Sequence, residues 1–475
     1  MKAIWKKVLQ NPSTELLRQF ENIDIWKKIF AGKSDWLEHY EINVDGRRRR
    51  QDLKQVNAAK LLCQEFASLV FSEVPTVDTK NAALLSVLEE SDFWEKQTEE
   101  FERQCALGGQ AIKAYVRDGV IGIDYVPADR FIPISWNNKR VTEAAFIDYQ
   151  TINGKEYIRV EEHKRYYPGF YTPVGDWVES SESKGYGIKS TLYKKEADKI
   201  TQVEIAGLLP EYAEDAVVDI ESPLFVYIKN PIANNWYAES PVGMSLFGNC
   251  LDTLKAIDTV FTAIAEDPEL CRPRIGVSTD MTRTIINDDG TKSKYFDPSD
   301  RVFRAVPAGD NDKPPMQDFT IPLQHTEYRL ALQTDLDVLS AQVGLSPGTL
   351  SFDNAGGTKT ATEIISENSR TYKTRAKYVN GLVECYTEFF KVIAELLALY
   401  GTAPIDPDFS IVWDDSIIED RNANTAYWTL LANSGMIPRY KAVMNILKVD
   451  EAEARKIAEE AKAEQAPVIN SFGGF

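Results

Sequence analysis

The stretch Gly344–Ile364 reads GLSPGTLSFDNAGGTKTATEI and lies between two segments with helical patterns. It holds four glycines and one proline, with neither a His nor a Cys. It also lacks the closing Gly-Lys-Ser/Thr of a phosphate-binding loop. Because loops of this length inside compact domains are uncommon and are usually functional or disordered, this segment is a candidate functional loop.

The pattern after the loop predicts an unusually long helix. Thr360-Ala-Thr-Glu363 has the form of a capping box, and the next breaks are Gly401 and Pro404. About 40 residues of helix span about 60 Å, against an average helix of about 11 residues. The apolar stripe has heptad spacing and consists of Tyr372, Ala376, Val379, Val383, Tyr386, Phe390, Ile393, Leu397 and Tyr400. Such a helix needs partners along its length, either in an intramolecular bundle or from other chains.

The residues before the loop predict two helices around a small insert. Ser240 and Pro241 suit the N-cap and first position of a helix that runs to Asp267-Pro268. A second helix ends at Gly344, and the insert contains a predicted hairpin at Asp289-Gly290. The apolar positions are Leu246, Cys250, Leu254, Ile257, Phe261 and Ile264 in the first helix and Tyr328, Leu332, Leu336, Leu339 and Val343 in the second. Two rod-like helices around an insert are unusual in a catalytic domain.

The first half of the chain combines helices with antiparallel strands. Asp52–Phe71 and Ser91–Leu107 have helical periodicity. Alternating apolar residues on both sides of Asp118-Gly119 and Asn153-Gly154 predict two hairpins. Further strand-like segments are 187–194 and 224–229. The predicted fold class is therefore mixed α+β.

The charge of the chain argues against tight nucleic-acid binding. The formal net charge is -18 over 475 residues, whereas tight binders present basic faces to phosphates. The densest basic cluster is Arg47–Arg50, which we interpret as a solvated linker or subunit-contact patch, with a nucleic-acid contact as the alternative. A second basic run, Arg370–Lys377, has no evident role in the pattern.

The sequence shows no pattern typical of a catalytic, metal or cofactor site. Three histidines and five cysteines stand isolated from one another. The carboxylates of 413–415 and 419–420 are better explained as caps or turns. No apolar run approaches the roughly 18 residues that span a bilayer, and the N-terminus has no apolar signal region. We therefore expect a protein made and used in a cytoplasm, without a membrane partner.

The order of these features resembles the portal proteins of tailed bacteriophages, most of all the branch that includes the portal of the Bacillus phage SPP1. The likeness covers about residues 50–430. It is carried by AKLLCQEFASLVFSEVPTV, GGQAIKAYVRDGVIGIDYVPADRFIPISWNN, YAESPVGMSLFGNCLDTLKAIDTVFTAIAED and GLSPGTLSFDNAGGTKTATEIISENSRTYKTRAKYVNGLVE. No single motif is chemically diagnostic, so the specificity lies in the ordered set.

The resemblance implies a portal-type fold with an α/β wing, a two-helix stem, a small α/β clip, a very long wing helix and a helical crown. About twelve copies would assemble as a ring. The implied parts are 1–240 for the wing, 241–266 for stem helix 1, 267–323 for the clip, 324–343 for stem helix 2, 344–357 for the tunnel loop, 358–420 for the long helix and the return to the wing, and 421–475 for the crown.

The implied function is a DNA channel at one capsid vertex, in the virion, assembled in the cytoplasm of a bacterial host. Double-stranded DNA would pass without sequence-specific contact. The implied partners are the terminase large subunit, the head–tail adaptor, and the major capsid and scaffolding proteins, with no enzyme activity and no cofactor. The ring would also nucleate procapsid assembly.

The candidate residues fall into three groups, and the channel roles rest on the resemblance. The tunnel-loop residues are Leu345, Ser346, Thr349, Leu350, Ser351, Phe352, Asp353 and Asn354. The channel-lining stem charges are Asp252, Lys255, Asp258, Arg329 and Asp335. The subunit-contact candidates are Arg370, Lys373 and Arg375, which we expect to face an acidic surface of a neighbouring protomer.

Two alternatives remain at the level of sequence. Another phage structural component, a head–tail adaptor or scaffold, is disfavoured by the length and the α+β first half. A DNA-processing enzyme would need a phosphate-binding loop or paired metal carboxylates, and neither pattern is found.

Overall fold

The structure of the 475-residue chain is a computed structural model. It describes residues 2–9, 12–42, 48–171, 177–179, 184–196, 199–209, 212, 214–271, 275–277, 283–287, 290–295, 316–318, 320–351, 367–401, 409–413, 421–447, 449 and 451–464. The capping box at 360–363 and the carboxylates at 414–420 lie outside these residues.

The chain divides into two compact units. The first contains Met1–Ala31, Ala59–Asn249 and Ser340–Phe475, and the second contains Gly32–Ala58 and Cys250–Leu339. The segment 32–58, which was expected in the wing, thus belongs with the paired helices and their insert.

Helices of very different length occur in the described part of the chain. They are α1 (Lys2–Val8), α2 (Thr14–Phe30), α3 (Ala58–Val70), α4 (Ala82–Glu90), α5 (Phe93–Leu107), α6 (Leu251–Leu270), α7 (His325–Val343), α8 (Ser369–Leu399), α9 (Arg421–Asn433), α10 (Arg439–Leu447) and α11 (Glu451–Glu464). The 31 residues of α8 confirm the prediction of a very long helix after the loop.

The strands of the first unit form antiparallel sheets, as the mixed α+β class requires. Strands β6 (Phe131–Asn137), β7 (Arg140–Ile152), β8 (Lys155–Arg165), β11 (Tyr186–Glu196), β12 (Lys199–Val203) and β13 (Asp215–Val218) form a six-stranded sheet. Strands β4 (Gly109–Arg117), β5 (Val120–Pro127) and β14 (Phe225–Lys229) form a three-stranded sheet. Two-stranded sheets pair β3 (Thr76–Thr79) with β19 (Phe409–Val412) and β9 (Gly169–Tyr171) with β10 (Trp177–Glu179).

Both hairpins predicted from the first half are confirmed. Arg117 pairs with Val120 across Asp118-Gly119, and Ile152 pairs with Lys155 across Asn153-Gly154. All four turn residues have positive φ, which the twist of a two-residue hairpin requires and which Asn, Asp and Gly tolerate.

Aromatic packing fixes the long helix within its own unit. Phe131, Phe146 and Phe225 form a core between the two larger sheets. On α8, Tyr386 and Phe390 pack against Phe93 with ring centroids 5.5 Å apart in each pair. Such pairs contribute about 0.5–1.5 kcal/mol each beyond burial of area. The C-terminal half of α8 is therefore a core element of its own protomer.

The buried face of α8 differs from the predicted stripe in its first half. The helix buries Thr371, Arg375, Tyr378 and Leu382, whereas Ala376 is exposed. The buried face of α8 is rotated toward Thr371 and Arg375, because both side chains make hydrogen bonds inside the protomer, as described below.

Three helix ends differ from the sequence predictions. The predicted start at Pro241 is wrong, because 241–250 is a buried non-helical segment whose backbone bonds elsewhere: Leu246 N donates to Cys105 O (2.9 Å) and Gly243 O accepts from Gln19 Nε2 (3.0 Å). The predicted stop at Asp267-Pro268 is also wrong, since α6 continues to Leu270 with Pro268 inside it.

The helix predicted from Asp52 begins only at Ala58. Strand β2 (Arg48–Asp52) occupies the start of that stretch and pairs with β1 (Glu38–Ile42) in the second unit. The basic residues of the Arg47–Arg50 cluster that the structure describes, 48–50, thus lie in a strand rather than at a helix start.

The insert between α6 and α7 is described only in part. Its strands are β15 (Ile275–Val277), β16 (Arg283–Ile286), β17 (Lys292–Tyr295) and β18 (Met316–Asp318). Ile286 pairs with Lys292, which confirms the predicted hairpin, and β15 pairs with β18.

Candidate functional site

The base of the candidate loop begins with a tightly capped helix end. Gly344 has φ +86° and ends α7 in a Schellman arrangement, in which Leu345 N donates to Ser340 O (2.8 Å). Arg370 Nη2 donates to Ala341 O (2.6 Å), so a guanidinium also covers the exposed carbonyls of this turn. The chain therefore leaves α7 in a fixed direction.

A reciprocal pair then fastens the loop to the first turn of α8. Ser346 N donates to Thr371 Oγ1 (2.8 Å), and Thr371 N lies 3.4 Å from Ser346 Oγ. One turn further along, Thr374 Oγ1 donates to Gly344 O (2.6 Å). Ser346 is 1% exposed and Thr371 4% exposed, so these hydrogen bonds are shielded from water. We call residues 344–346 with Thr371 and Thr374 the loop anchor.

The loop anchor separates the predicted loop residues into two groups. Leu345 and Ser346, both named above as tunnel-loop residues, are buried and belong to the loop anchor. Thr349, Leu350 and Ser351 are half-buried. The remaining candidates, Phe352, Asp353 and Asn354, lie outside the described residues.

Arg375, a predicted subunit contact, lies inside the protomer. It is 2% exposed, and its Nε donates to Leu69 O (3.0 Å) at the C-terminal end of α3. Trp413 Nε1 donates to the next carbonyl, Val70 O (3.0 Å). The expectation for Arg375 is therefore wrong, because the last turn of α3 needs donors for its free carbonyls. Arg370 and Lys373 are exposed and stay candidates.

Asp258, a predicted channel charge, is also an internal group. It is 5% exposed, and its carboxylate accepts hydrogen bonds from Trp36 Nε1 (3.0 Å) and Val56 N (3.1 Å). Burial raises its pKa, against the two hydrogen bonds, which lower it. One turn along α6, Thr262 Oγ1 accepts from Lys54 N (2.9 Å). Asp258 thus holds the segment 32–58 on α6 and is corrected from a lining charge to a structural one.

The other predicted stem charges differ in exposure. Asp252 and Lys255 on α6 and Arg329 on α7 are exposed. Asp335 is half-buried, and burial raises its pKa. Three of the five candidates can therefore face solvent fully.

Sequence reasoning missed the polar residues that organise this region, although a signal was present. Thr371 and Arg375 are spaced i, i+4 and lie in phase with the buried Tyr378 and Leu382. A polar residue in phase with a buried seam indicates a specific hydrogen-bond partner, since burial without one is costly. Trp36, by contrast, lies in a short 3-10 turn with no periodic pattern.

No three His, Cys, Asp or Glu side chains within the described ranges are grouped as metal ligands. Among those residues, no helix has the length and apolar character needed to cross a bilayer.

A mixed α+β chain with a loop anchored between two long helices fits the class of phage portal proteins. A family model described as phage portal protein, SPP1 Gp6-like, matches residues 12–467. The chain belongs to this family.

Solved structures with a similar chain are of low sequence identity. They include the virion of a native gene transfer agent particle (TM-score 0.39, 10% identity, covering 90% of this chain and 93% of that chain). The neck of an empty particle computed with C6 symmetry gives a TM-score of 0.39 at 10% identity, with 89% and 92% covered. The neck of a native particle computed with C12 symmetry gives 0.37 at 11% identity, with 82% and 88% covered. No curated protein matches the chain.

Proposed function

We propose that this chain forms the ring-shaped DNA channel at one capsid vertex of a tailed phage or phage-like particle. The observation that carries the proposal is the portal-family match over residues 12–467, which leaves only the two ends of the chain unmatched. About twelve copies form the ring, with closure set by a small rotation between neighbours. The portal family is a structural one, so the chain acts by shape and charge.

We assign the parts of the ring as the resemblance implies, with α6 in place of residues 241–266. The helices α6 and α7 form the stem and α9 to α11 the crown. The clip, implied as 267–323, begins only after Leu270, where α6 ends. The first part of the chain and α8 form the wing. The segment 32–58 goes with the stem in this scheme, because it is clasped to α6 through Asp258 and Thr262.

The channel passes DNA because its wall does not hold phosphates. Each cation that contacts a phosphate adds a salt-dependent attraction, so a sliding polymer requires few of them. Helices α6 and α7 expose three carboxylates, Asp252, Glu269 and Glu327, and carry only two Lys or Arg side chains, Lys255 and Arg329, within a chain of net charge -18. The loop beyond the loop anchor supplies short-lived polar contacts through Thr349 and Ser351.

The partners follow from this position in the particle. The clip docks the terminase large subunit during packaging and the head–tail adaptor afterwards. The wing and crown contact major capsid and scaffolding proteins, and the ring nucleates procapsid assembly. The protein is a virion component that assembles in the cytoplasm of the bacterial host.

The first experiment examines the assembly. Purified full-length protein is analysed by light scattering and negative-stain microscopy, alone and with its capsid proteins. We expect annular particles with a central hole and a mass of about twelve protomers. A monomer at every concentration, without rings in either condition, would end the proposal.

A second experiment examines the loop. Thr371→Val removes the hydroxyl that accepts from Ser346 N. Thr387→Val is the matched control, because Thr387 Oγ1 donates within α8, to Val383 O (2.7 Å). We expect rings from both variants. Amide exchange at 345–350 should rise about fivefold in Thr371→Val, as the loss of about 1 kcal/mol for one hydrogen bond requires. DNA packaging should fall in that variant alone. Equal packaging by the two variants would contradict a role of the loop anchor in the channel.

A further inference from the structure

The C-terminal helices α9, α10 and α11 leave an unusual amount of apolar surface uncovered. Among the residues of these helices whose side chains the structure describes, only Ala442 and Ala454 are buried. Tyr427, Leu430 and Leu447 are 56%, 67% and 54% exposed, and Met436, in the turn after α9, is 74% exposed. Helices of this length depend on tertiary packing for their stability. Their apolar surface therefore requires a cover.

The charges of the same region separate along the chain. Residues 421–449 contain the four basic residues Arg421, Arg439, Lys441 and Lys448 and no Asp or Glu. Residues 450–464 contain six acidic residues (Asp450, Glu451, Glu453, Glu459, Glu460, Glu464) against three basic ones. The α9–α10 surface is therefore basic and apolar, and α11 is acidic.

The described contacts within one protomer do not pair these two charges. Helix α10 packs against both α9 and α11. Among the described contacts, the guanidinium of Arg455 on α11 lies over the Tyr440 ring of α10 (4.1 Å), and Arg455 also pairs with Glu451 of its own helix (2.6 Å). Arg439 and Lys441 are exposed on α10, as Glu459 and Glu460 are on α11. Both surfaces are thus available to another molecule.

We propose that these helices form a head-to-tail interface, in which α11 of one protomer covers the α9–α10 surface of the next copy. The inference rests on the proposed ring, because a ring uses each of two unlike surfaces once per protomer. The acidic helix neutralises the basic residues of its neighbour, and the apolar side chains around Leu430 leave water. A second copy is the occupant because the chain itself carries the complementary surface.

Two charge-reversed full-length variants test the pairing. One carries Glu459→Lys and Glu460→Lys, and the other carries Arg439→Glu and Lys441→Glu. Each alone places like charges across the interface, so amide exchange in 425–447 should become about tenfold faster than in wild-type particles. In a ring in which the two variants alternate, opposite charges face each other at every interface, so mixing the two before assembly should restore slow exchange. Pairing within one protomer is not restored by mixing.

A pair of substitutions on another helix controls for the change of net charge. Glu89→Lys with Glu90→Lys makes the same change of net charge on exposed positions of α4 and should leave the exchange unchanged. Leu430→Gln, tested alone, should accelerate exchange in 425–447.

Unchanged exchange in the charge-reversed variants, or no recovery on mixing, overturns the interface. Recovery accompanied by particles of only two copies overturns its head-to-tail form. If the wild-type protein forms no rings, the proposed function itself is overturned. If rings form and the substitutions do not change their amide exchange, only this inference is overturned.

Discussion

At the scale of single residues, some of the polar groups buried in this chain serve helix ends. Arg375 is the clearest case, because its guanidinium and the Trp413 indole meet the last two carbonyls of α3. A cation at a helix C-terminus is favoured by the helix dipole as well as by the hydrogen bond. The basic run of α8 therefore contains one internal residue among exposed ones.

We expect Arg375→Met to destabilise the protomer by about 2–3 kcal/mol, because Leu69 O would be left buried without this donor. Urea unfolding of the full-length protein measures the change. Lys391→Met, exposed on the same helix, is the matched control and should stay within about 0.5 kcal/mol of wild type. Equal effects of the two substitutions would show that the hydrogen bond from Arg375 to Leu69 O does not stabilise the protomer.

A buried charged cluster between β8 of the six-stranded sheet and β4 of the three-stranded sheet gives a second residue-scale prediction. Glu161 Oε1 lies 2.8 Å from both Lys113 Nζ and His163 Nε2. Burial lowers the pKa of His163, although its hydrogen bond to Glu161 acts in the opposite direction. Burial alone would raise the pKa of Glu161, but His163, Lys113 and Arg159 together hold it well below its usual range.

Stability should fall on mild acidification because of His163. In the folded protein His163 resists protonation. Below the ordinary histidine pKa of about 6.5, the unfolded chain therefore binds this proton before the folded protein does. The loss should be on the order of 1 kcal/mol between pH 6.5 and 5, above the range in which Glu161 contributes. His163→Gln keeps a donor for Glu161 and should flatten the profile in that window. The exposed His325→Gln should not, and a flat wild-type profile would contradict the argument.

At the scale of elements, the sequence predicted what local periodicity controls. The hairpins at Asp118-Gly119 and Asn153-Gly154 and the end of α7 at Gly344 follow from local turn chemistry and are confirmed. The non-helical segment 241–250 could not be predicted, because its backbone partners lie far away in the chain, at Cys105 and Gln19. The loop anchor was missed for the same reason, because Ser346 and Thr371 are recognisable as functional only once the structure shows that they bond to each other.

We expect Gly243→Ala to be severely destabilising. A Cβ at Gly243 would lie 2.1 Å from Gly108 O, a backbone atom that cannot move aside without displacing the end of α5. The cost should reach about 3 kcal/mol or more, as for other overpacked cores. Gly207→Ala is the control, since a Cβ there meets nothing within 4 Å. Thermal unfolding of both variants measures the difference, and a stable Gly243→Ala protein would show that 241–250 is only loosely docked.

At the scale of the whole molecule, the exposed cations of α8 stand out in a chain of net charge -18. Lys373 and Lys377 are exposed, whereas the C-terminal half of the helix is largely core. Lys373→Glu with Lys377→Glu should lower the fraction of assembled rings about tenfold at low salt, through repulsion from an acidic neighbour. Lys391→Glu, exposed on the same helix, is the control. Mass measurements on diluted protein give the fraction of assembled rings. An unchanged fraction would show that Lys373 and Lys377 are not assembly contacts.

The link between the two ends of the insert has a consequence for the history of the family. Asp267 Oδ2 accepts from Gln324 N (3.0 Å), so the chain leaves α6 and returns to α7 at one carboxylate. When both ends of an excursion are fastened together, doubling its length costs only about 0.6 kcal/mol of closure entropy. Evolution can therefore lengthen, shorten or exchange the intervening sequence while the two rods keep their spacing. We expect divergence among relatives to concentrate there, where a new docking partner could be acquired without rebuilding the rest.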